Sequence, residues 1–313
     1  MNRRSAIRRL VMAGAGSFFV KLAASKAAQQ DYVIHSEARL VLLDVSVRNQ
    51  SGGFVPGLTK DNFTVTENGT PQPVTMFGSN DLPVTVGILV DESRSMAPKR
   101  ADVLSAAETF IAESNPQDEM FVLNFNDSVK RGLPDGVLFS GDPAQLRSAL
   151  DRGLPRGRTA MNDAVVDGLN QLELGRRDKK ALVLVSDGGD NASAHSRREV
   201  LEQVERSIAT IYAVGLFEPN DPDWNAGLLR RLAGISGGEV HFPAGREELV
   251  AVCRGIAKDI RTRYTIGYVP PVKNGGALRH IRLKVSAPGE SKLVAHTRES
   301  YRYEPIETAQ GSK

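Results

Sequence analysis

Two rhythms of apolar and polar residues divide this chain. From Arg39 to Phe77 the pattern alternates and turn residues break it often. Leu40, Leu42, Val45 and Val47 lie in one strand-like run, Phe63-Thr64-Val65-Thr66-Glu67 in a second, and Pro73 to Phe77 in a third. The breaks are Ser51-Gly52-Gly53, Pro56-Gly57 and Asn68-Gly69; the last predicts a tight hairpin, because both residues tolerate positive φ. The far end repeats the rhythm. Short strands are expected over Tyr264 to Val269, His280 to Val285, Leu293 to Thr297 and Tyr301 to Tyr303, separated by Pro270-Pro271, Asn274-Gly275-Gly276 and Pro288-Gly289.

Between these ends the period changes. Val84 to Val90 is a continuous apolar run, as a strand buried on both faces requires. Val103, Leu104, Ala107, Phe110 and Ile111 recur at helical spacing and predict a helix over about Lys99 to Ser114. Strand and helix then alternate. Strands are expected at Met120 to Phe125, Ala181 to Ser186, Thr210 to Gly215 and Glu239 to Phe242. Helices are expected from near Pro143, over Ala160 to Leu174, Ser196 to Ser207, Trp224 to Ala233 and Glu247 to Ile260. Short connections between alternating elements imply a mostly parallel sheet with helices on both faces. The flanking strands cannot bury a core in two half-sets, so they are expected to meet as one small antiparallel β-sandwich into which the α/β unit is inserted. The expected division is 31–80 and 263–304 for the two halves of the sandwich and 82–262 for the α/β domain, with a polar, disordered tail at 305–313.

Residues 1–28 fall outside this scheme. They hold six basic residues (Arg3, Arg4, Arg8, Arg9, Lys21, Lys26) and no acid, around an apolar stretch from Leu10 to Val20 and a run of small residues to Ala28. A basic start, a short apolar stretch and a small-residue end make a secretory signal; a bilayer-spanning helix needs about 20 apolar residues. Asn2-Arg3-Arg4-Ser5-Ala6-Ile7-Arg8 resembles the bacterial twin-arginine export motif, with Ala6 where a large apolar residue is usual. The expectation is export to the periplasm, the cell envelope or the medium. The general secretory route and an uncleaved anchor stay open as alternatives. The charge balance follows from this segment. The chain carries 40 Lys+Arg against 37 Asp+Glu, a formal +3; without the six basic residues of the signal, 34 face 37, a formal −3. The slight basicity therefore lends nothing to nucleic-acid binding. A single cysteine, Cys253, excludes an intramolecular disulfide and a zinc site of paired cysteines.

In sheets of this kind ligands bind beyond the carboxyl ends of the strands. The run Val84 to Val90 leads into Asp91-Glu92-Ser93-Arg94-Ser95-Met96, and Ala181 to Ser186 leads into Asp187-Gly188-Gly189-Asp190-Asn191. Gly157-Arg158-Thr159-Ala160-Met161 precedes the helix near Ala160. Together these loops bring two carboxylates and three hydroxyls to one rim. The ordered set D-x-S-x-S, then Thr, then Asp-Gly resembles the metal-ion-dependent adhesion site of von Willebrand factor type A (VWA) domains, at Asp91, Ser93, Ser95, Thr159 and Asp187. The flanks, Gly57 to Phe63 with Glu67-Asn68-Gly69 and Tyr264 to Tyr268, are similar to those of a bacterial exported VWA-related family. The resemblance implies a Rossmann-like, doubly wound sheet. It also implies an ion held directly by Ser93, Ser95 and Thr159, with Asp91 and Asp187 acting partly through hydrogen bonds and waters. Oxygen ligands select hard cations, Mg²⁺ first, with Mn²⁺ or Ca²⁺ possible. The implied partner is a protein presenting an Asp or Glu carboxylate, so the chain reads as a binding and adhesion module without catalysis. Two residues depart from the family pattern: Glu92 stands where a small residue is common and Arg94 where Gly is. Arg94 is expected either to pair with Glu92 or to narrow the approach to the ion.

Other signals carry less. Gly234-Ile235-Ser236-Gly237-Gly238 matches a nucleophile-elbow pattern, but a helix precedes it and a strand follows, the reverse of the order an elbow needs, so its glycines read as a helix C-cap. A phosphatase using a phosphorylated Asp91 would want an acid two residues on, where Ser93 stands. His35, His195, His241, His280 and His296 are scattered and read as solvated or strand-surface residues. Cys253 shares a helical face with Leu249, Ile256 and Ile260 and reads as a small buried apolar residue. Asp190 and Asn191 are read as shaping the turn after Asp187. The rival readings are a scaffold with a vestigial metal site that binds through its β-domain, and a metal-dependent hydrolase.

Overall fold

The computed structural model describes residues 40–217, 225–271, 278–289 and 292–303. The expectations for the signal, for the 305–313 tail, for Asn274-Gly275-Gly276 and for a helix starting at Trp224 lie outside the described residues. Both ends of the described chain build two antiparallel four-stranded sheets. β1 (Val41–Arg48), β4 (Met76–Gly78), β11 (Tyr264–Tyr268) and β13 (Val294–His296) form one, in the order β13-β1-β11-β4. β2 (Phe63–Glu67), β3 (Thr70–Gln72), β12 (Leu278–Val285) and β14 (Ser300–Arg302) form the other, in the order β14-β12-β2-β3. Each sheet mixes early and late strands, because β1 pairs with β11 and β2 with β12. Neither end could complete a sheet alone.

Leu43, Val45, Phe63, Val65, Tyr264, Ile266 and Tyr268 fill one apolar cluster between these sheets. Glu67 crosses it as a buried polar staple, accepting hydrogen bonds from Arg279 at 2.7 Å, Tyr268 at 2.8 Å and Tyr301 at 2.7 Å. Asn68 and Gly69, at φ 49° and 82°, make the hairpin that joins β2 to β3. The single strand expected from Pro73 to Phe77 is displaced on both sides, into β3 and β4. Pro73 has no N–H to give a ladder, and pairing resumes where Gly267 carbonyl accepts Thr75 N–H at 2.8 Å.

The inserted unit is a six-stranded sheet in the order β10-β9-β8-β5-β6-β7. Its strands are β5 (Val84–Asp91), β6 (Glu119–Phe125), β7 (Val129–Arg131), β8 (Lys179–Ser186), β9 (Thr210–Gly215) and β10 (Val240–His241). All neighbours are parallel except β7, a short edge strand turned back on β6. Three residues with one apolar side chain give no periodic signal, so β7 is not legible in the sequence. Every residue of β5 is buried, as the unbroken apolar run predicts. The helices are α1 (Arg100–Glu113), α2 (Pro143–Asp151), α3 (Met161–Glu173), α4 (Arg197–Arg206), α5 (Ala226–Ser236) and α6 (Arg246–Thr262). Their starts follow local chemistry: Asp142 caps α2 through Ala144 N–H, Ser196 and Glu199 form a reciprocal box on α4, and Asn225 caps α5 through Leu228 N–H. Helix α5 ends at Ser236, beyond the expected Ala233, where Gly237 adopts φ 80°. The G-x-S-x-G stretch is thus a helix end. Cys253 is buried with Leu249, Ile256 and Ile260.

The topology decides where a site can form. From β5 the chain crosses by α1 to β6 on one side; after α3 it enters β8 on the other side of β5. Loops leaving β5 and β8 therefore diverge from adjacent carboxyl ends, where an open sheet forms its crevice.

Candidate metal centre

Val90 pairs with Val185, so the next residues of the two strands, Asp91 and Ser186, emerge side by side at the crevice. Ser186 donates its hydroxyl to Asp91 Oδ2 at 2.6 Å, and Ser93 N–H donates to Asp91 Oδ1 at 2.8 Å. Both carboxylate oxygens are thus fixed. Ser93 Oγ lies 3.1 Å from Ser95 Oγ, which donates to Asp187 Oδ2 at 2.5 Å. Gly189 N–H holds the other oxygen of Asp187 at 3.1 Å. Asp91, Ser93, Ser95 and Asp187 are joined in one run of hydrogen bonds, the first step through the Ser93 backbone N–H. Gly188 makes the bend after Asp187 possible: its φ is 84°, and a Cβ there would come 2.9 Å from the Asn225 carbonyl oxygen.

Thr159 joins from a third loop, with its placement set by the backbone. Its N–H donates to Asn191 Oδ1 at 2.9 Å, and its carbonyl accepts Asn191 N–H at 2.9 Å and Ala192 N–H at 3.0 Å. It makes no direct hydrogen bond to the other four residues among the described contacts. The β8–α4 loop is fastened further along α3. Asp190 bonds Asn162, Ser193 Oγ accepts Asp163 N–H at 3.1 Å, and Asp163 accepts the N–H groups of Ala194 and His195, both at 2.9 Å. His195 Nδ1 also lies 2.7 Å from Asp163 Oδ1, so this histidine is a loop fastener and departs from the solvated role expected of it. Ser186, Asn191 and Asp163 position the site without belonging to its motif. The one sequence signal for Ser186 is a hydroxyl closing an otherwise apolar strand.

Glu92 and Arg94 part company. Glu92 is buried and pairs with Arg100, Nε to Oε2 at 3.3 Å, while Arg94 stays exposed on the rim. Arg100 also donates to the carbonyl of Gly153 at 2.8 Å, and the Glu92 carbonyl accepts Arg156 N–H at 2.9 Å. Glu92 therefore docks the loop between α2 and α3 against the site, and the pairing of Arg94 with Glu92 does not form.

The electrostatics are lopsided. Asp91 and Asp187 are both 2% exposed, and neither pairs with a described Lys or Arg. Burial first, and then the negative charge of Asp187, push the Asp91 carboxyl up to about 7, against the hydrogen bonds from Ser186 and Ser93. Two buried carboxylates side by side, lined by hydroxyls that already converge, make a donor set suited to a hard divalent cation. Among the described residues no group of three or more His, Cys, Asp or Glu is placed to hold an ion, so binding here has to draw on hydroxyl oxygens. Among the described contacts Ser93 and Ser95 hydrogen-bond each other and the Asp187 carboxylate, and no His or Lys.

A mostly parallel sheet whose strand order switches at β5, with this cluster beyond it, defines a Rossmann-like α/β domain with an acidic and hydroxyl-lined rim. The model of the von Willebrand factor type A domain matches residues 85–249, and the chain belongs to that family. Among solved structures, a von Willebrand factor type A protein from Catenulispora acidiphila is similar in fold, with TM-score 0.51 and 16% identity over 87% of this chain and 76% of that one. The vWF domain of the type V pilus tip protein Mfa5 from Porphyromonas gingivalis gives TM-score 0.45 and 13% identity, over 57% of this chain and 95% of that one. Proximal thread matrix protein 1 of the mussel byssus, with a zinc-occupied MIDAS motif, gives TM-score 0.49 and 15% identity, over 62% of this chain and 49% of that one. No curated protein matches the chain.

Proposed function

We propose that the chain is an exported, metal-dependent protein-binding module with no catalytic step. Asp91, Ser93, Ser95, Thr159 and Asp187 would hold a hard divalent cation, Mg²⁺ before Mn²⁺ or Ca²⁺. When bound, that cation supplies an electrophilic coordination position that a partner's Asp or Glu carboxylate can complete. The rest is the work of the chain. Ser186 and Ser93 N–H keep Asp91 in one orientation, Gly189 N–H keeps Asp187, and Asn191 keeps the Thr159 loop. A preorganised set loses little freedom when a partner arrives.

The observation that carries this reading is the Ser95–Asp187 contact across the crevice, which joins the D-x-S-x-S loop of β5 to the loop of β8. No helix among the described residues is long and apolar enough to cross a membrane. The test is thermal unfolding of the full chain with and without Mg²⁺, alongside Asp91→Ala. A ligand that binds only the folded state at 100 times its Kd stabilises by about 2.7 kcal/mol. Stabilisation that vanishes in Asp91→Ala supports a live site. No response to Mg²⁺, Mn²⁺ or Ca²⁺ would leave the scaffold binding through its β-domain. Turnover of generic ester or phosphate substrates, lost in Asp91→Ala, would point instead to a hydrolase.

A further inference from the structure

Three arginines crowd the rim outside the oxygen cluster. Arg94 lies between Ser93 and Ser95, Arg158 directly precedes Thr159, and Arg156 stands two residues before that; all three are exposed. The two loops that carry them touch, with Arg94 N–H donating to the Gly157 carbonyl at 3.3 Å. Their backbone is held firmly. Arg156 N–H is tied to the Glu92 carbonyl at 2.9 Å, Arg158 N–H to Asp127 Oδ1 at 3.1 Å, and the buried Glu92–Arg100 pair docks the loop from below. Sequence adjacency to Ser93, Ser95 and Thr159 places Arg94 and Arg158 on the same loops as the candidate hydroxyls.

The charge on this rim is unbalanced. Asp127 offsets Arg158, at Nε to Oδ1 3.4 Å. Arg94 and Arg156 form no close ion pair among the described residues, and Asp127 lies near enough to Arg156 for their charges to attract. The acids at the centre, Asp91 and Asp187, are buried and would be neutralised by a divalent cation. A bound cation therefore leaves the rim net positive. Exposed arginines are usually no more than a solvated surface, but here two fixed loops deliver them around one candidate ligand position.

Resting on the metal reading above, we propose that the partner segment is an acidic run: one carboxylate completes the cation's coordination, and flanking Asp or Glu side chains meet Arg94 and Arg156. Guanidinium groups suit this role, because their planar donors match carboxylate geometry. In an extended segment residues i−2, i and i+2 point to the same face, so acids two positions to either side of the coordinating residue face the rim with it.

The test uses the full chain and two labelled peptides of equal length in a Gly-Ser background, one with a single Glu and one with three Glu at alternate positions. Binding is measured with Mg²⁺ and after chelation, at low and at physiological ionic strength. The tri-acidic peptide is expected to bind about three- to tenfold tighter than the single-Glu peptide at low salt, with the gap closing as salt rises. Arg94→Ala/Arg156→Ala is expected to erase that gap while keeping Mg²⁺-dependent binding of the single-Glu peptide. Equal affinity for both peptides, or a gap the double variant retains, overturns the acidic-run inference and leaves the metal site standing. A gap that survives chelation but disappears in the double variant upholds the arginine rim and removes the metal reading. Failure of both peptides to bind overturns both.

Discussion

Ser186, at the end of one central strand, donates its hydroxyl to Asp91 Oδ2, at the end of the next, across 2.6 Å. Both groups are buried, so removing the donor leaves a carboxylate oxygen without water or partner. Ser186→Ala is expected to destabilise the cation-free protein by about 1–3 kcal/mol above pH 7, where Asp91 is ionised. The loss should shrink at pH 5, where the carboxyl is protonated. Chemical denaturation at the two pH values checks this; an equal loss at both would show that the hydroxyl is merely packed.

Asp91 titrates near 7 in the folded chain and near 3.8 when unfolded. Between those values the folded chain holds the extra proton, so stability of the cation-free protein falls as pH rises through that window. A divalent cation competes with the same proton. Mg²⁺ affinity should therefore weaken by about tenfold per pH unit below 7 and level off above it. Calorimetric titration on either side of 7 reads this directly, and a flat profile would exclude Asp91 from the site.

Asn191 holds Thr159 through one side-chain bond and one backbone bond. Asn191→Ala removes the first alone and is expected to cost about tenfold in Mg²⁺ affinity, typical of groups that orient a ligand. Asn191→Asp keeps an acceptor for Thr159 N–H and should recover most of the loss. Stability without metal should change little between these variants, and a thermal melt without Mg²⁺ separates that effect from misfolding.

The last helix of the α/β unit is anchored in the β-sandwich. Asp259 on α6 accepts hydrogen bonds from Ser46 of β1 at 2.5 Å, Tyr212 of β9 at 2.6 Å and Arg263, just past the helix, at 2.8 Å. Arg263 is 3% exposed and also donates to the Gly237 carbonyl at 2.9 Å. Asp259→Ala strands that buried cation and is expected to cost about 3–5 kcal/mol. Tyr212→Phe removes one donor and should cost about 1 kcal/mol. Urea unfolding ranks the two; a small loss in Asp259→Ala would mean that water reaches the junction.

The apolar runs of β5 and β8, the helical spacing of α1 and the turn chemistry at Asn68-Gly69 were enough to state the fold class, because burial on both faces, on one stripe or on alternate residues each leaves its own period in the sequence. Asp91, Ser93, Ser95 and Asp187 stood out as polar residues following apolar strands, whereas Thr159, ahead of a helix, was legible only through the resemblance to the VWA motif. Local pattern could not reveal that Glu92 turns inward to Arg100 and leaves Arg94 on the rim, or that Asn191 grips Thr159. Those outcomes depend on residues between eight and thirty-two positions apart, brought together only when the sheet forms. The junction at Asp259 is the extreme case, since Ser46 lies 213 residues away in sequence. Periodicity is written residue by residue, whereas the pairing of buried polar groups is a property of the packed chain, set by which donors the topology places within 3 Å of an acceptor cut off from water.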